Sequence, residues 1–232
     1  MKHKNENVYK AVASVKRGSM VLIYDSDERE SETDIVMPAQ AVTPKDVALM
    51  RRDAGGLICV AVHPIAAEQL RLPFASDLLR YASGNGFDVA EVAEKPGDVP
   101  YDRNSSFSLW VNHRKTFTGI TDIDRALTIN EIGKAVKLSM NGAVVDFGKE
   151  FRSPGHVPLL RAANGLLRDR KGQTELSIAL AELAGITPAA VMCEMLDTES
   201  GKALSKEDAR RYAKNHGLVF IKGNEILEAY NC

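Results

Sequence analysis

Cysteine is scarce in this chain: Cys59, Cys193 and Cys232 are the three cysteines among 232 residues. They are too few and too scattered for a disulfide framework or a zinc site. Cys59 and Cys193 sit in apolar, strand-like runs and read as small buried hydrophobes rather than nucleophiles. Net charge is nearly absent as well: it is −1, which leaves no field to draw nucleic acid or an anionic membrane. No stretch approaches the roughly 18 apolar residues of a membrane span, and the start Met1-Lys2-His3-Lys4-Asn5-Glu6 has no apolar h-region. No internal repeat or low-complexity segment stands out. The expectation is a soluble cytoplasmic protein with no nucleic-acid or membrane partner. Apolar residues at 44% and charged residues at 26% are close to globular averages.

Hydrophobic spacing gives the elements. Val8, Ala11, Val12 and Val15 predict a helix over 5–17 that Gly18 stops, and Met20 to Tyr24 is an apolar run that predicts a buried strand. Thr43-Pro44-Lys45-Asp46 starts a helix, with Thr43 as cap and Gly55-Gly56 closing it. Leu57 to Val62 predicts a central strand and residues 64–72 a short helix. Residues 83–105 are rich in Gly, Pro and Asn and are expected to form a long loop that acts as a lid. A strand follows over 106–112, and Thr128-Ile129-Asn130-Glu131 looks like a capping box that opens a helix to Leu138. Residues 141–158 read as irregular. A helix over 174–183, a strand over 190–196, a helix from Ser205 to Gly217, a strand over 218–221 and a last short helix complete the chain. Strands and helices alternate only in part, and no linker is visible. The expected fold is α+β, a single domain over 1–232 built around a mixed twisted sheet flanked by helices.

Five stretches carry possible chemistry. Asp25-Ser26-Asp27-Glu28-Arg29-Glu30-Ser31-Glu32-Thr33-Asp34 crowds six carboxylates beside one arginine. At ~4 Å each like-charged pair costs about 1 kcal/mol in water and more when buried. A hard cation such as Mg²⁺, which takes oxygen ligands and keeps several waters, would offset that cost; a solvated acidic turn is the bland alternative. Arg168 to Glu175 places cations and Gly172 before a helix N-terminus, a setting that suits a phosphate. Prolines and glycine hold His156 in a tight loop, and histidine is the side chain fittest for acid–base work near neutral pH. Glu194 interrupts an apolar strand, so it is paired, metal-bound or catalytic. His113 to Arg125 mixes cations, hydroxyls and carboxylates in the manner of a sugar-phosphate site. His3, His63, His113 and His216 show no ligand spacing.

Taken together, and joined by Asp53 to Cys59, Gly155-His156-Val157 and Leu160-Arg161-Ala162, these stretches resemble the 3,4-dihydroxy-2-butanone 4-phosphate synthases of the riboflavin pathway in their stand-alone archaeal form. The resemblance implies conversion of D-ribulose 5-phosphate to formate and L-3,4-dihydroxybutan-2-one 4-phosphate, with Mg²⁺ or Mn²⁺, by a homodimer whose sites lie at the subunit interface. By position it implies Glu30, Glu32, Asp34, His156 and Glu194 as catalytic groups. It implies substrate contacts at Arg29, Glu30, Asp34, Thr118, Arg170, Lys171, Gly172, Gln173, Thr174 and Glu194, and metal ligands at Glu30 and Gln173. Two departures stand out. Thr33 occupies a position where many relatives have glycine. Gln173 stands where the family's Gly-His-Thr-Glu motif has its metal-binding histidine, with the spacing intact: 17 residues from His156 and 21 to Glu194. An amide oxygen is a hard, neutral donor acceptable to Mg²⁺, without imidazole basicity. The substitution raises the alternatives of a metal-impaired or non-catalytic sugar-phosphate-binding homologue; a different Mg²⁺-dependent sugar-phosphate enzyme is a further rival.

Overall fold

Consecutive side chains of a strand point to opposite faces, and one strand shows what that does here. In Thr33–Pro38, Ile35 and Met37 enter one core layer while Val36 enters another on the opposite face. The residue two before Val36 is Asp34, so the sheet's own period carries a carboxylate onto the Val36 face. The computed structural model describes residues 2–102 and 104–230, with side chains from residue 6 onward; Cys232 and the side chain of His3 lie outside the described residues.

In chain order the elements are α1 (Lys2–Lys16), β1 (Val21–Tyr24), β2 (Thr33–Pro38), α2 (Pro44–Leu49), β3 (Cys59–Val62), α3 (Pro64–Gln69), α4 (Ala75–Ser83), β4 (Phe107–His113), α5 (Asp122–Met140), α6 (Phe147–Glu150), β5 (Phe151–Arg161), α7 (Gln173–Leu183), β6 (Ala189–Glu194), α8 (Lys206–Asn215), β7 (Val219–Lys222) and α9 (Gly223–Tyr230). The strands form one seven-stranded sheet in the order β4-β5-β3-β6-β2-β1-β7. Two neighbour pairs, β1 with β7 and β3 with β5, are parallel, and the rest are antiparallel. The sheet is mixed, flanked by helices and carried by a single α+β domain, as expected. Ile129, Ile132 and Val136 of α5 pack on Leu22, Ile35 and Val60 from one side, and Leu176, Ala179 and Leu180 of α7 pack on Ile23, Val36 and Cys59 from the other. Each fully buried aliphatic side chain contributes about 1.5–3 kcal/mol. The two layers therefore supply the stability against which the polar centre is set.

Two expectations are corrected. The helix expected from Thr128 begins at Asp122: Thr121 is its N-cap and accepts from the Asp124 N–H at 3.1 Å. Two Thr-x-x-acid patterns lie in a row, and the first is the cap. Thr128 is buried one and a half turns further in, where its hydroxyl accepts from the His113 N–H at 3.0 Å and donates to the Asp124 carbonyl. Residues 141–158 are not irregular throughout, because β5 runs through Pro154 and Pro158 and pairs with both β3 and β4. A proline's missing donor is tolerated where the ladder is interrupted, and opposite β5 it is interrupted. Helix α4 fills the stretch between the helix expected over 64–72 and the loop expected over 83–105.

Replacing the cap, Thr121→Ala, is expected to lower the unfolding free energy by about 1 kcal/mol with an unchanged denaturant slope, measured by urea titration. No loss would mean that α5 draws nothing from Thr121.

Candidate active site

Asp34 and Glu194 face each other directly across the β2–β6 ladder. Both lie on the side of the sheet covered by α7, because Glu194 is in step with Met192 as Asp34 is with Val36. Together with Glu30, Gln173 and Thr174 they line a cleft of about 140 Å³. Its mouth is narrowed by Val99, Tyr101 and Asp102 from the long loop that precedes β4.

The acidic loop is built around Asp25. This buried carboxylate accepts from the N–H groups of Glu30 at 2.9 Å and Glu32 at 3.0 Å, while its own N–H donates to the Glu32 carbonyl. The loop thereby closes on its first residue and delivers Glu30 and Asp34 to the cleft. Burial, with the neighbouring Glu194, Glu30 and Glu32 charges, pushes the Asp34 carboxyl well above the usual range. Burial pushes Glu194 up too, although its Oε2 accepts from the Leu57 N–H at 2.7 Å. Glu32 is raised by burial and by Glu30 and Glu194. Two such carboxyls on facing residues cannot both ionise cheaply, and both are pushed in the same direction, toward holding a proton. Gly56 makes room for this arrangement, since a Cβ there would lie 2.5 Å from Glu194 Oε2.

Two arginines stand beside the carboxylates. Arg170 donates to Glu175 at 2.9 Å and to Asp102 at 2.6–2.8 Å; Arg29 donates to the same Asp102 oxygen and meets Glu30 at 3.0 Å. Burial pulls the Arg29 pKa down, but the Glu30 and Asp102 charges outweigh it and leave the pKa raised. Gly172 keeps the backbone within reach of both guanidinium groups, which a Cβ would meet at 2.7–2.8 Å.

Gln173 is buried at the first turn of α7, and its Nε2 donates to the carbonyls of Ile23 at 3.0 Å and Glu32 at 3.1 Å. That fixes the amide and leaves Oε1 buried with no hydrogen-bond partner; Asp34 Oδ1 is in the same state. Bare, hard oxygen acceptors beside carboxylates fit a divalent cation such as Mg²⁺. Among the described residues no three His, Cys, Asp or Glu side chains are grouped to hold a metal, so one carboxylate and one amide oxygen would leave most of the coordination shell to water or substrate. Cys59 and Cys193 are buried, and burial pushes the Cys193 thiol up to about 12, in keeping with inert hydrophobes.

Not every expected residue reaches this cleft. His156 and Thr118 are exposed and sit together near the β4 edge, on either side of Asn112. Lys171 is exposed at the outer rim beside Arg29 and Arg170. Sequence reasoning missed Asp25 as the organiser of its own loop, Gly56 as the seat of Glu194, and Asp102. A glycine preceding a strand carried the second signal; nothing local marks Asp102, whose partners lie 73 and 68 residues away.

Facing carboxyls pushed toward holding a proton, beside paired guanidinium groups, make a site suited to acid–base chemistry on an anionic small molecule. The profile of the 3,4-dihydroxy-2-butanone 4-phosphate synthase family matches residues 9–229, and the chain belongs to that family. It is 62% identical to the 3,4-dihydroxy-2-butanone 4-phosphate synthase of Methanosarcina acetivorans over 99% of this chain and 93% of that one. It is 60% identical to the Archaeoglobus fulgidus protein of that name over 95% and 92%. A solved 3,4-dihydroxy-2-butanone 4-phosphate synthase in complex with two magnesium ions superimposes with a TM-score of 0.77 at 27% identity, over 96% of this chain and 95% of that one. The match runs through Gln173, and a non-catalytic role is not favoured.

The crowding has a measurable cost. A carboxyl whose folded pKa lies above its unfolded value destabilises the protein as pH rises past the unfolded value, about 4. With divalent cations chelated, Asp34→Asn is therefore expected to raise the unfolding free energy at pH 8 and to leave it nearly unchanged at pH 4. Equal effects at both pH values would refute the charge-crowding account.

Proposed function

We propose that the chain converts D-ribulose 5-phosphate to L-3,4-dihydroxybutan-2-one 4-phosphate and formate, as a Mg²⁺-dependent lyase of riboflavin biosynthesis in the cytoplasm, Mn²⁺ being the other candidate ion. The observation that carries this reading is the pair of facing carboxyls, Asp34 and Glu194, in one cleft with Glu30 and the unpartnered Gln173 oxygen. The family-like domain is taken to span residues 1–232.

The phosphate is held by Arg29, Arg170 and Lys171 and by the N-terminus of α7 at Gly172 and Thr174, which carries free N–H groups and the positive dipole end. Asp102 occupies both guanidinium groups and leaves with its loop, the lid, as the phosphate enters. Glu30 and Gln173 would hold the cation, which would supply Lewis-acid polarisation of the substrate ketone. The ionised member of the Asp34–Glu194 pair takes the C3 proton. The protonated member gives its proton to the departing C1 hydroxyl, which leaves as water. The two carboxyls have then exchanged states and the proton count closes. Glu32 holds substrate hydroxyls. The later steps join C3 to C5 and release C4 as formate, regaining the water lost earlier, and His156 transfers protons in them.

His156 and Thr118 reach the cleft from a second copy, so the working unit is a homodimer. What supports this is the surface beside them: Phe117 is 93% exposed, Ile123 69% and Ile120 50%. Three apolar side chains bared next to one edge of the sheet need a cover.

The decisive measurement is formate release on incubation with ribulose 5-phosphate and Mg²⁺. A different product would point to another lyase or isomerase, and binding without turnover to a non-catalytic homologue. A second expectation concerns the amide. Gln173→His should raise turnover at subsaturating Mg²⁺, on the scale of the 10–100-fold effects typical of changes around a metal. An unchanged Mg²⁺ dependence would remove Gln173 from the ligand set.

A further inference from the structure

We propose that Asn112 is a positioning residue that fixes the neutral ring of His156 as its Nε2–H tautomer, so that the ring presents a proton donor outward instead of a lone pair. The inference rests on the reading of His156 given above for its catalytic consequence, and on geometry alone for the tautomer.

The geometry begins with a break in the ladder. Val111 of β4 pairs with Val157, but the next residue, Asn112, pairs with Arg152. Residues Ser153 to His156 therefore bulge out of the pairing, and the His156 N–H loses its partner on the adjacent strand. The Asn112 side chain replaces that partner: its Oδ1 accepts from the His156 N–H at 2.9 Å. This contact sets the orientation of the amide, because the opposite orientation would press an NH₂ against an N–H. With Oδ1 so engaged, Nδ2 lies 3.1 Å from His156 Nδ1, nearer than Oδ1 at 3.3 Å. An amide NH₂ is a donor only. The nearer contact, with Oδ1 already engaged by the backbone, favours Nδ1 as the acceptor, and places the proton of the neutral ring on Nε2.

The amide has no freedom to turn. Asn112 is 1% exposed. A Cβ at Gly119 would lie 2.1 Å from its Nδ2, and one at Gly155 would lie 2.0 Å from the Val111 backbone, so two glycines let the chain close on it from both sides. The loop carrying Gly119 is in turn pinned by the Asp124 carboxylate, which accepts from the N–H groups of Phe117, Thr118 and Gly119.

A carboxylate of the same shape would keep the backbone contact and reverse the ring contact, since it can only accept. Asn112→Asp is therefore the informative variant. Nitrogen NMR of the whole protein with labelled histidine, the His156 signals being those missing in His156→Gln, reads the tautomer directly. The unsubstituted protein should show a protonated Nε2 and a bare Nδ1, and Asn112→Asp should move the proton to Nδ1. Turnover of Asn112→Asp should fall on the order of a hundredfold with KM unchanged. A bare Nε2, or a mixture of tautomers, in the unsubstituted protein overturns the inference whatever the variant does, so a variant that fails to fold leaves the test intact. An Nε2–H ring that reverses in the variant without loss of turnover upholds the inference and overturns the assignment of proton transfer to His156.

Discussion

The repulsion between Asp34 and Glu194 is the constraint to which the rest of the molecule answers. Both are delivered by strands whose other residues are among the most buried in the chain, so neither backbone position can move away from the other. The ladder sets them opposite each other and the pleat sets them on one face. Moving either carboxyl would need a one-residue slip of a strand, and that would turn Ile35 and Met37, or Val191 and Cys193, out of their layer. The aliphatic core therefore holds the two acids together. The destabilising proximity is kept because the alternative register costs far more, which is how strained functional sites persist in stable folds.

Around that pair the structure divides its compensation between backbone and cations. Leu57 donates a peptide N–H to Glu194, and Asp25 gathers the N–H groups that would otherwise leave the acidic loop unshaped. The arginines are turned to Asp102 and Glu175, so they do not neutralise Asp34 or Glu194. This separation suits acid–base chemistry. A guanidinium bonded to either member of the pair would favour its ionised form and remove the proton that the other role requires.

Strand positions, the mixed sheet and the acidic loop were legible because each rests on local spacing. The apolar run ending at Tyr24 and the cap Thr43-Pro44 need no knowledge of distant residues, and both stand as expected. The start of α5 was misread because two threonine-led patterns compete within eight residues, and only packing tells the cap Thr121 from the buried Thr128. Strand β5 was misread because Pro154, Gly155 and Pro158 are ordinary loop signals; its partner strands on both sides override them. The candidate site was legible as a list of residue types but not as an arrangement. Nothing in the sequence says that Asp102 caps two arginines, or that His156 and Thr118 stand apart from the carboxylates.

That last separation follows from strand order and from position along β5. Strands β2 and β6 lie inside the sheet and β4 forms its edge, with β5 and β3 between them. Strand β5 does reach the cleft through Leu160, but His156 stands four residues further along it, exposed on the bulge beside β4. On the proposed reading a second copy closes the distance, and the histidine's orientation then has to be settled before the partner arrives. The Asn112 amide does this inside one subunit, with backbone and glycine contacts that owe nothing to the neighbour. Each chain would thus carry a finished proton donor on one face and an unfinished cleft on another, and association would join them without either having to rearrange. Preorganisation of this kind is where binding energy becomes available for orientation of the reacting groups.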